Sequence, residues 1–244
     1  MIYNGPCKDP ATIDSDLGML AGKGYKMVRT YDIGCDVGQL VKAAGNHGMK
    51  AFIGINTINN VQGDMQKLIN YVNAVNGWQH VDTVNVGNEV VNNGGSPSAS
   101  IAALNTARGM LQGAGYTGNV VIVDTFNQIL ANPSLCGDYC AANAHAFFDS
   151  SSPASNAGNW VMDTFNQIGQ KTGKKIVITE TGWPSGGNGN GAAVASPDAQ
   201  GTAIGAIQQA FASQANSVYI FQAFDAAYKS PGASGIENKF GIFH

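Results

Sequence analysis

Two glutamates stand where β-branched residues ask for buried strand. Glu89 closes the run "VDTVNVGNE" (81–89), and Glu180 lies in "KKIVITETGWP" (174–184). An ionised carboxylate is rarely buried without a partner or a task. Two carboxylates facing one another across a cleft can cleave a glycosidic bond: one, protonated, donates to the leaving oxygen, and the other, ionised, attacks or stabilises the anomeric carbon. The competing reading is a structural ion pair at each position. That reading would suffice for either glutamate alone; two at matched strand ends, flanked by Asn88 and Trp183, favour the chemistry.

Such a pair needs a scaffold that brings distant strand ends together. Eight apolar, β-branched runs recur along the chain, at 1–5, 26–32, 50–56, 81–89, 119–125, 142–148, 174–184 and 217–225, with helical spacing in "IDSDLGMLAGKG" and "SASIAALNTARGMLQGAG" between them. Strand and helix alternating in this way imply a parallel sheet. Eight units in 244 residues fit an α/β fold of the (β/α)8 barrel type, one domain over residues 1–244. Catalytic groups in such a barrel emerge at the C-terminal strand ends. Glu89 ends the fourth run and Glu180 the seventh, 91 positions later, so both are expected on one face, on opposite sides of its mouth. The hexapeptide "DTFNQI" occurs at 124–129 and 163–168, but its flanks read as strand in one place and helix in the other. No domain linker is evident, and "SGGNGNGAAVASP" (185–197) reads as a long mobile loop.

Composition narrows the ligand. Charged residues are only 12% of the chain and the formal net charge is −3, without a Lys/Arg block; this argues against a nucleic-acid partner and suits a neutral ligand. No apolar run approaches the ~20 residues of a spanning helix, so no membrane partner is expected. "VNNGGSP" lacks a phosphate-loop arrangement, and the glycines of "SGGNGN" come without a helix-initiating phosphate motif, so no cofactor is expected. The histidines at 47, 80, 145 and 244 are not spaced for a metal. The four cysteines, Cys7, Cys35, Cys136 and Cys140, allow three pairings if all are bridged. The tight spacing in "CGDYC" suggests a Cys136–Cys140 disulfide, leaving Cys7 and Cys35 to bridge the loops after the first two runs. Two disulfides would imply a secreted, extracellular or cell-wall protein; four free thiols would place it in the cytosol. No signal peptide precedes "MIYNGP", so a secreted protein would be represented by a mature form with an added methionine. N-glycosylation is not expected, there being no N-x-[ST] sequon.

"VGNEVVN", "NAHAFFD" and "VITETGWPS", in this order and spacing, resemble glycoside hydrolase family 17, the β-1,3-glucanases and glucanosyltransferases; "VRTYDIGCD" and the closing "FDAAYK" and "ENKFGIF" are similar to its fungal wall-associated branch. The resemblance implies a retaining enzyme in which Glu89 is the acid/base and Glu180 the nucleophile, their carboxyl groups ~5 to 5.5 Å apart. Asn88 would bond the sugar 2-hydroxyl, and Trp183 would form a stacking floor. Tyr3, Tyr31, Asn56, Asp124, Phe147 and Lys229 join them as substrate contacts, His145 would orient Glu180 by hydrogen bonding, and Arg29 would brace carboxylates at the mouth. The strand-eight motif departs from the family pattern: Ala226 and Tyr228 stand where an acidic residue and an aromatic such as tryptophan are common. The expected partner is β-1,3-glucan, bound by a monomer. Water meeting the glycosyl-enzyme gives hydrolysis and a second glucan gives transfer. A non-catalytic glucan-binding wall protein on the same barrel is the alternative.

Overall fold

The computed structural model describes residues 1–243; His244 lies outside the described residues. The chain divides into two units, residues 6–141 and residues 1–5 with 142–244.

Four parallel strands organise the first unit: β1 (Met27–Arg29), β2 (Lys50–Ile55), β3 (Val81–Asn88) and β4 (Asn119–Thr125), neighbours in that order. Residues 51–55 and 120–124 are buried without a break, which is why these strands read as continuous apolar runs rather than alternating ones. Helix α1 (Pro10–Gly22) precedes β1, helices α2 (Val37–Asn46), α3 (Val61–Ala74) and α4 (Pro97–Gly113) separate the strands, and the short α5 (Phe126–Ala131) follows β4. Their starts are written in the sequence: the Asp9 carboxylate accepts the Ala11 and Thr12 amides ahead of α1, and Ser96 accepts the Ala99 amide ahead of α4, each with proline at the helix start. The first "DTFNQI" accordingly ends β4 and enters α5.

The second unit takes the end of β5 (Cys140–Asn143), then α6 (Ala157–Thr172), β6 (Ile176–Thr181), α7 (Pro197–Ala210) and β7 (Val218–Ile220). The second "DTFNQI" lies within α6, as expected. β6 and β7 are parallel, pairing Ile178 with Val218 and Thr181 with Ile220. Among the described residues there are seven strands where eight runs were expected. The first run contributes a single bridge: the Ile2 amide donates to Ile220 O, and Ala223 N donates to Ile2 O. Five residues cut short by Pro6 are enough to dock beside β7 but not to form a ladder.

The segment 185–197 is a correction to the sequence reading. It is tied down rather than free: Ser185 N donates to Lys239 O, Asn188 N to Ser234 O, Ala192 N to Ser150 O, and the Asn190 side-chain amide to Phe147 O. A Cβ on Gly191 would lie 2.4 Å from Ser150 O, so this glycine serves close backbone approach rather than flexibility.

Both disulfides formed as the spacing suggested, Cys7–Cys35 and Cys136–Cys140, within the first unit. The 28-residue separation of Cys7 and Cys35 corresponds to ~3.6 kcal/mol of loop-closure stabilisation, and the short Cys136–Cys140 loop to ~2 kcal/mol. The double substitution C7S/C35S is therefore expected to lower the unfolding midpoint by roughly 7 to 14 °C in calorimetry. A shift under about 2 °C would show that this bridge does not constrain the unfolded chain in that way.

Candidate active site

Glu89 follows the last residue of β3 and adopts a left-handed conformation (φ 54°), two residues after Gly87 (φ 83°). Non-glycine residues hold this region only where their surroundings over-determine it. Here both flanking strands do so: Asn88 N donates to Asn56 O just beyond β2, and Glu89 N donates to Val123 O near the end of β4. The ladder between β3 and β4 shifts register between Asn85 and Asn88, and this irregularity turns Glu89 out of the strand, leaving it partly exposed.

Asn88 is oriented by Arg29. The guanidinium is fully buried, lies 4.7 Å from the Tyr31 ring centroid and 5.1 Å from that of Phe52, and donates from Nη2 to Asn88 Oδ1 at 2.8 Å. Arginine carries only donors, so the Asn88 amide must turn its oxygen toward Arg29 and its nitrogen away. Tyr31, expected at the substrate, is buried beside this cation. Asn56 is exposed at the end of β2. Asp124 is fully buried, and its carboxylate accepts the amides of Val91 (2.9 Å), Asn92 (3.2 Å) and Thr125 (2.9 Å). Burial pushes this carboxyl above its ordinary value, and the three amides work against the rise.

In the second unit Glu180 is the next-to-last residue of β6 and is 7% exposed. Its carbonyl accepts the Ala144 amide at the end of β5, and the next carbonyl, of Thr181, accepts Phe221 N. A Cβ on Gly182 would lie 2.0 Å from Phe221 O, so only glycine lets the chain pass β7 this closely. His145 Nε2 lies 3.7 Å from Glu180 Oε2, an electrostatic contact but too long for the hydrogen bond expected of it. The rings of Phe148, Phe221 and Phe240 surround His145 edge-on at 5.5 to 5.9 Å. Lys229 Nζ sits 5.4 Å from the Phe221 ring centroid.

Several expected contacts stand elsewhere. Trp183 is fully buried, its indole N–H donating to Val194 O and its ring packed edge-on to Phe147 at 5.2 Å. With no open face it is a wall residue that ties down the loop, not the stacking floor the sequence suggested. Phe147 is also enclosed, at 1% exposure, whereas its neighbour Phe148 is 58% exposed. Tyr3 is buried edge-on to Phe224. At the divergent positions Ala226 is buried and Tyr228 half exposed, while the Asp225 carboxylate accepts Gly241 N. Sequence reasoning passed over Gln222, just beyond β7, which is 1% exposed with neither end of its side-chain amide paired among the described residues. Leaving both ends of a buried amide unmet costs a few kcal/mol, a cost that ligand hydroxyls would offset. The described residues contain no group of three or more His, Cys, Asp or Glu side chains able to hold a metal ion.

Comparison with known proteins gives these residues a context. A probable family 17 glucosidase of Saccharomyces cerevisiae, SCW10, is 39% identical across 98% of this chain, and the cell surface mannoprotein MP65 of Candida albicans is 38% identical across 98%. The chain spans 62% and 64% of the lengths of these two relatives. In three dimensions the chain is similar to a glycoside hydrolase family 17 β-1,3-glucanosyltransferase from Rhizomucor miehei, with a TM-score of 0.83 at 21% identity over 99% of this chain and 91% of that one. This likeness shows the fold, the α/β barrel class expected from the run of strands. Residues 2–241 match a single family throughout, and the chain thus belongs to the BtgE/BtgC glycoside hydrolase domain family.

Proposed function

We propose that the protein is a retaining enzyme acting within β-1,3-glucan chains, with Glu180 as nucleophile and Glu89 as acid/base. The observation that carries this reading is the nearly buried Glu180 at the end of β6, in a chain of a glycoside hydrolase family. In the first step Glu89 gives its proton to the leaving glycosidic oxygen, Glu180 bonds to the anomeric carbon, and the bond from that carbon to the leaving oxygen breaks. In the second, Glu89 takes a proton from an incoming hydroxyl, whose oxygen displaces Glu180. Water as acceptor completes hydrolysis; a glucan hydroxyl completes transfer. The whole of residues 1–244 acts as one catalytic domain, as a monomer.

The names of similar proteins support the substrate. The Rhizomucor miehei enzyme is a β-1,3-glucanosyltransferase, and an active-site mutant of it was solved with laminaritriose. The cell-surface relative and the two disulfides support secretion to the wall. Within the site, Asn88 donates to a sugar hydroxyl, Gln222 satisfies its amide on others, and Asn56 and Lys229 add further contacts.

Phe148 is the exposed aromatic of the His145 cluster and provides the sugar-stacking face. Phe148→Ala is expected to raise KM for laminari-oligosaccharides roughly 5- to 10-fold, the effect of losing about 1 to 1.5 kcal/mol of stacking, with little change in kcat. An unaltered KM would remove Phe148 from the binding surface.

The function is tested by incubating the protein with a reducing-end-labelled β-1,3-gluco-oligosaccharide and following product lengths by mass spectrometry. Products longer than the substrate report transfer, and shorter ones alone report hydrolysis. Binding with no change in the oligosaccharide would overturn the enzyme reading in favour of a glucan-binding wall protein.

A further inference from the structure

Glu89 is held from both sides by the last residues of β4. Its own amide donates to Val123 O, and two and three residues later the amides of Val91 and Asn92 donate to the two carboxylate oxygens of Asp124. Asp124 Oδ1 also takes the Thr125 amide, and the Thr125 hydroxyl reaches Asn92 Oδ1 at 3.3 Å. The turn is closed within itself by Asn93 N to Glu89 O and Gly95 N to Val90 O. A fully buried carboxylate receiving three backbone amides is a charge-assisted clamp with little freedom to rearrange. It grips the turn at the point where a left-handed non-glycine residue must be maintained. A surface aspartate capping a turn would do the same for the backbone, but water would compete for its oxygens; this one is fully buried.

We propose that Asp124 is a positioning residue for Glu89, fixing the strained turn so that the acid/base carboxyl stays aligned, rather than a group that touches the sugar. The inference rests on the assignment of Glu89 as acid/base. Acid/base function has a signature that fold integrity lacks. An aryl glycoside whose leaving group departs without a proton needs no acid for the first step, and the glycosyl-enzyme that accumulates can then be captured by azide. Azide nitrogen bonds to the anomeric carbon as the ester bond to Glu180 breaks, and the carboxylate is released.

The experiment compares wild type, E89A and D124N on laminaripentaose and on 2,4-dinitrophenyl β-laminaribioside, with and without sodium azide. D124N keeps the volume and one acceptor oxygen of aspartate. It is expected to lose roughly 10- to 100-fold in kcat/KM on laminaripentaose, part of the full acid/base contribution, to stay within about threefold of wild type on the activated substrate, and to yield glycosyl azide. Each ratio is taken on one sample, so an inactive fraction cancels. If E89A yields glycosyl azide while D124N loses both activities equally and yields none, the positioning role fails and the assignment of Glu89 survives. If E89A itself yields none, the assignment fails and the inference with it. Should D124N not fold, hydrogen exchange on the wild type decides: Val91 and Asn92 amides protected well beyond open-loop rates support the clamp, and exchange at the unprotected rate overturns it.

Discussion

Glu180→Gln is expected to abolish turnover of laminari-oligosaccharides, with a loss on the order of 10⁵-fold in kcat, comparable to deleting the nucleophile of other covalent enzymes. The substitution is isosteric and leaves the main-chain bonds of this position, Ala144 N to Glu180 O and Phe221 N to Thr181 O, in place. The unfolding midpoint should therefore stay within about 4 °C of wild type, roughly 1 kcal/mol, separating loss of chemistry from loss of fold. His145 carries the second half of the argument. At 3.7 Å its Nε2 lies beyond hydrogen-bond reach of Glu180 Oε2, so the glutamine substitution breaks no hydrogen bond to it. Incubation with a 2-deoxy-2-fluoro laminaribiosyl donor is expected to add one glycosyl mass to the peptide containing Glu180. A label on another peptide, or E180Q activity within tenfold of wild type, would assign the nucleophile elsewhere.

The elements were legible where local chemistry decides them. β-branched runs covered on both faces gave seven strands, Asp9 and Ser96 gave helix starts, and a four-residue cysteine spacing gave a disulfide. The first run, 1–5, fell short because five residues can bridge without building a ladder. Composition misled at 185–197, since glycine permits flexibility and close approach alike, and only the Ser150, Ser234 and Lys239 carbonyls reveal which is at work. In "AFFD" two adjacent phenylalanines cannot both face inward; the sequence offers no phase for the turn at Ala146–Phe148, and the exposed member is Phe148. The resemblance made Trp183 a stacking floor, but its indole N–H found a carbonyl inside the protein. The resemblance placed Asp124 among the substrate contacts; its burial under the amides of Val91 and Asn92, over thirty residues away in the chain, is a long-range consequence that no local pattern encodes. The left-handed backbone at Glu89 is equally silent in sequence, although "GNE", a glycine and an asparagine before a carboxylate at the close of a strand, marks the place where the chain must turn.

Glu89→Ala is expected to divide substrates by leaving group. On laminari-oligosaccharides the departing oxygen belongs to a sugar and leaves poorly without a proton, so kcat/KM should fall roughly 10²- to 10⁴-fold, the usual worth of general acid catalysis. On a 2,4-dinitrophenyl glycoside the first step should proceed at near wild-type rate, and loss of the base for the second step should let the glycosyl-enzyme accumulate. A burst of dinitrophenolate followed by a slow steady state is the kinetic sign of that accumulation. Conformation is part of the prediction. Alanine tolerates a positive φ no better than glutamate, so the strained turn and its ties to Val123 and Asp124 remain as demanding as before, and the contrast between substrates reports on the carboxyl alone. Glycine at the same position relieves the strain, and E89G should show the same contrast between leaving groups with a higher unfolding midpoint than E89A. A variant equally slow on both substrates, with no burst, would mean that Glu89 supports the fold of the turn rather than moving the proton.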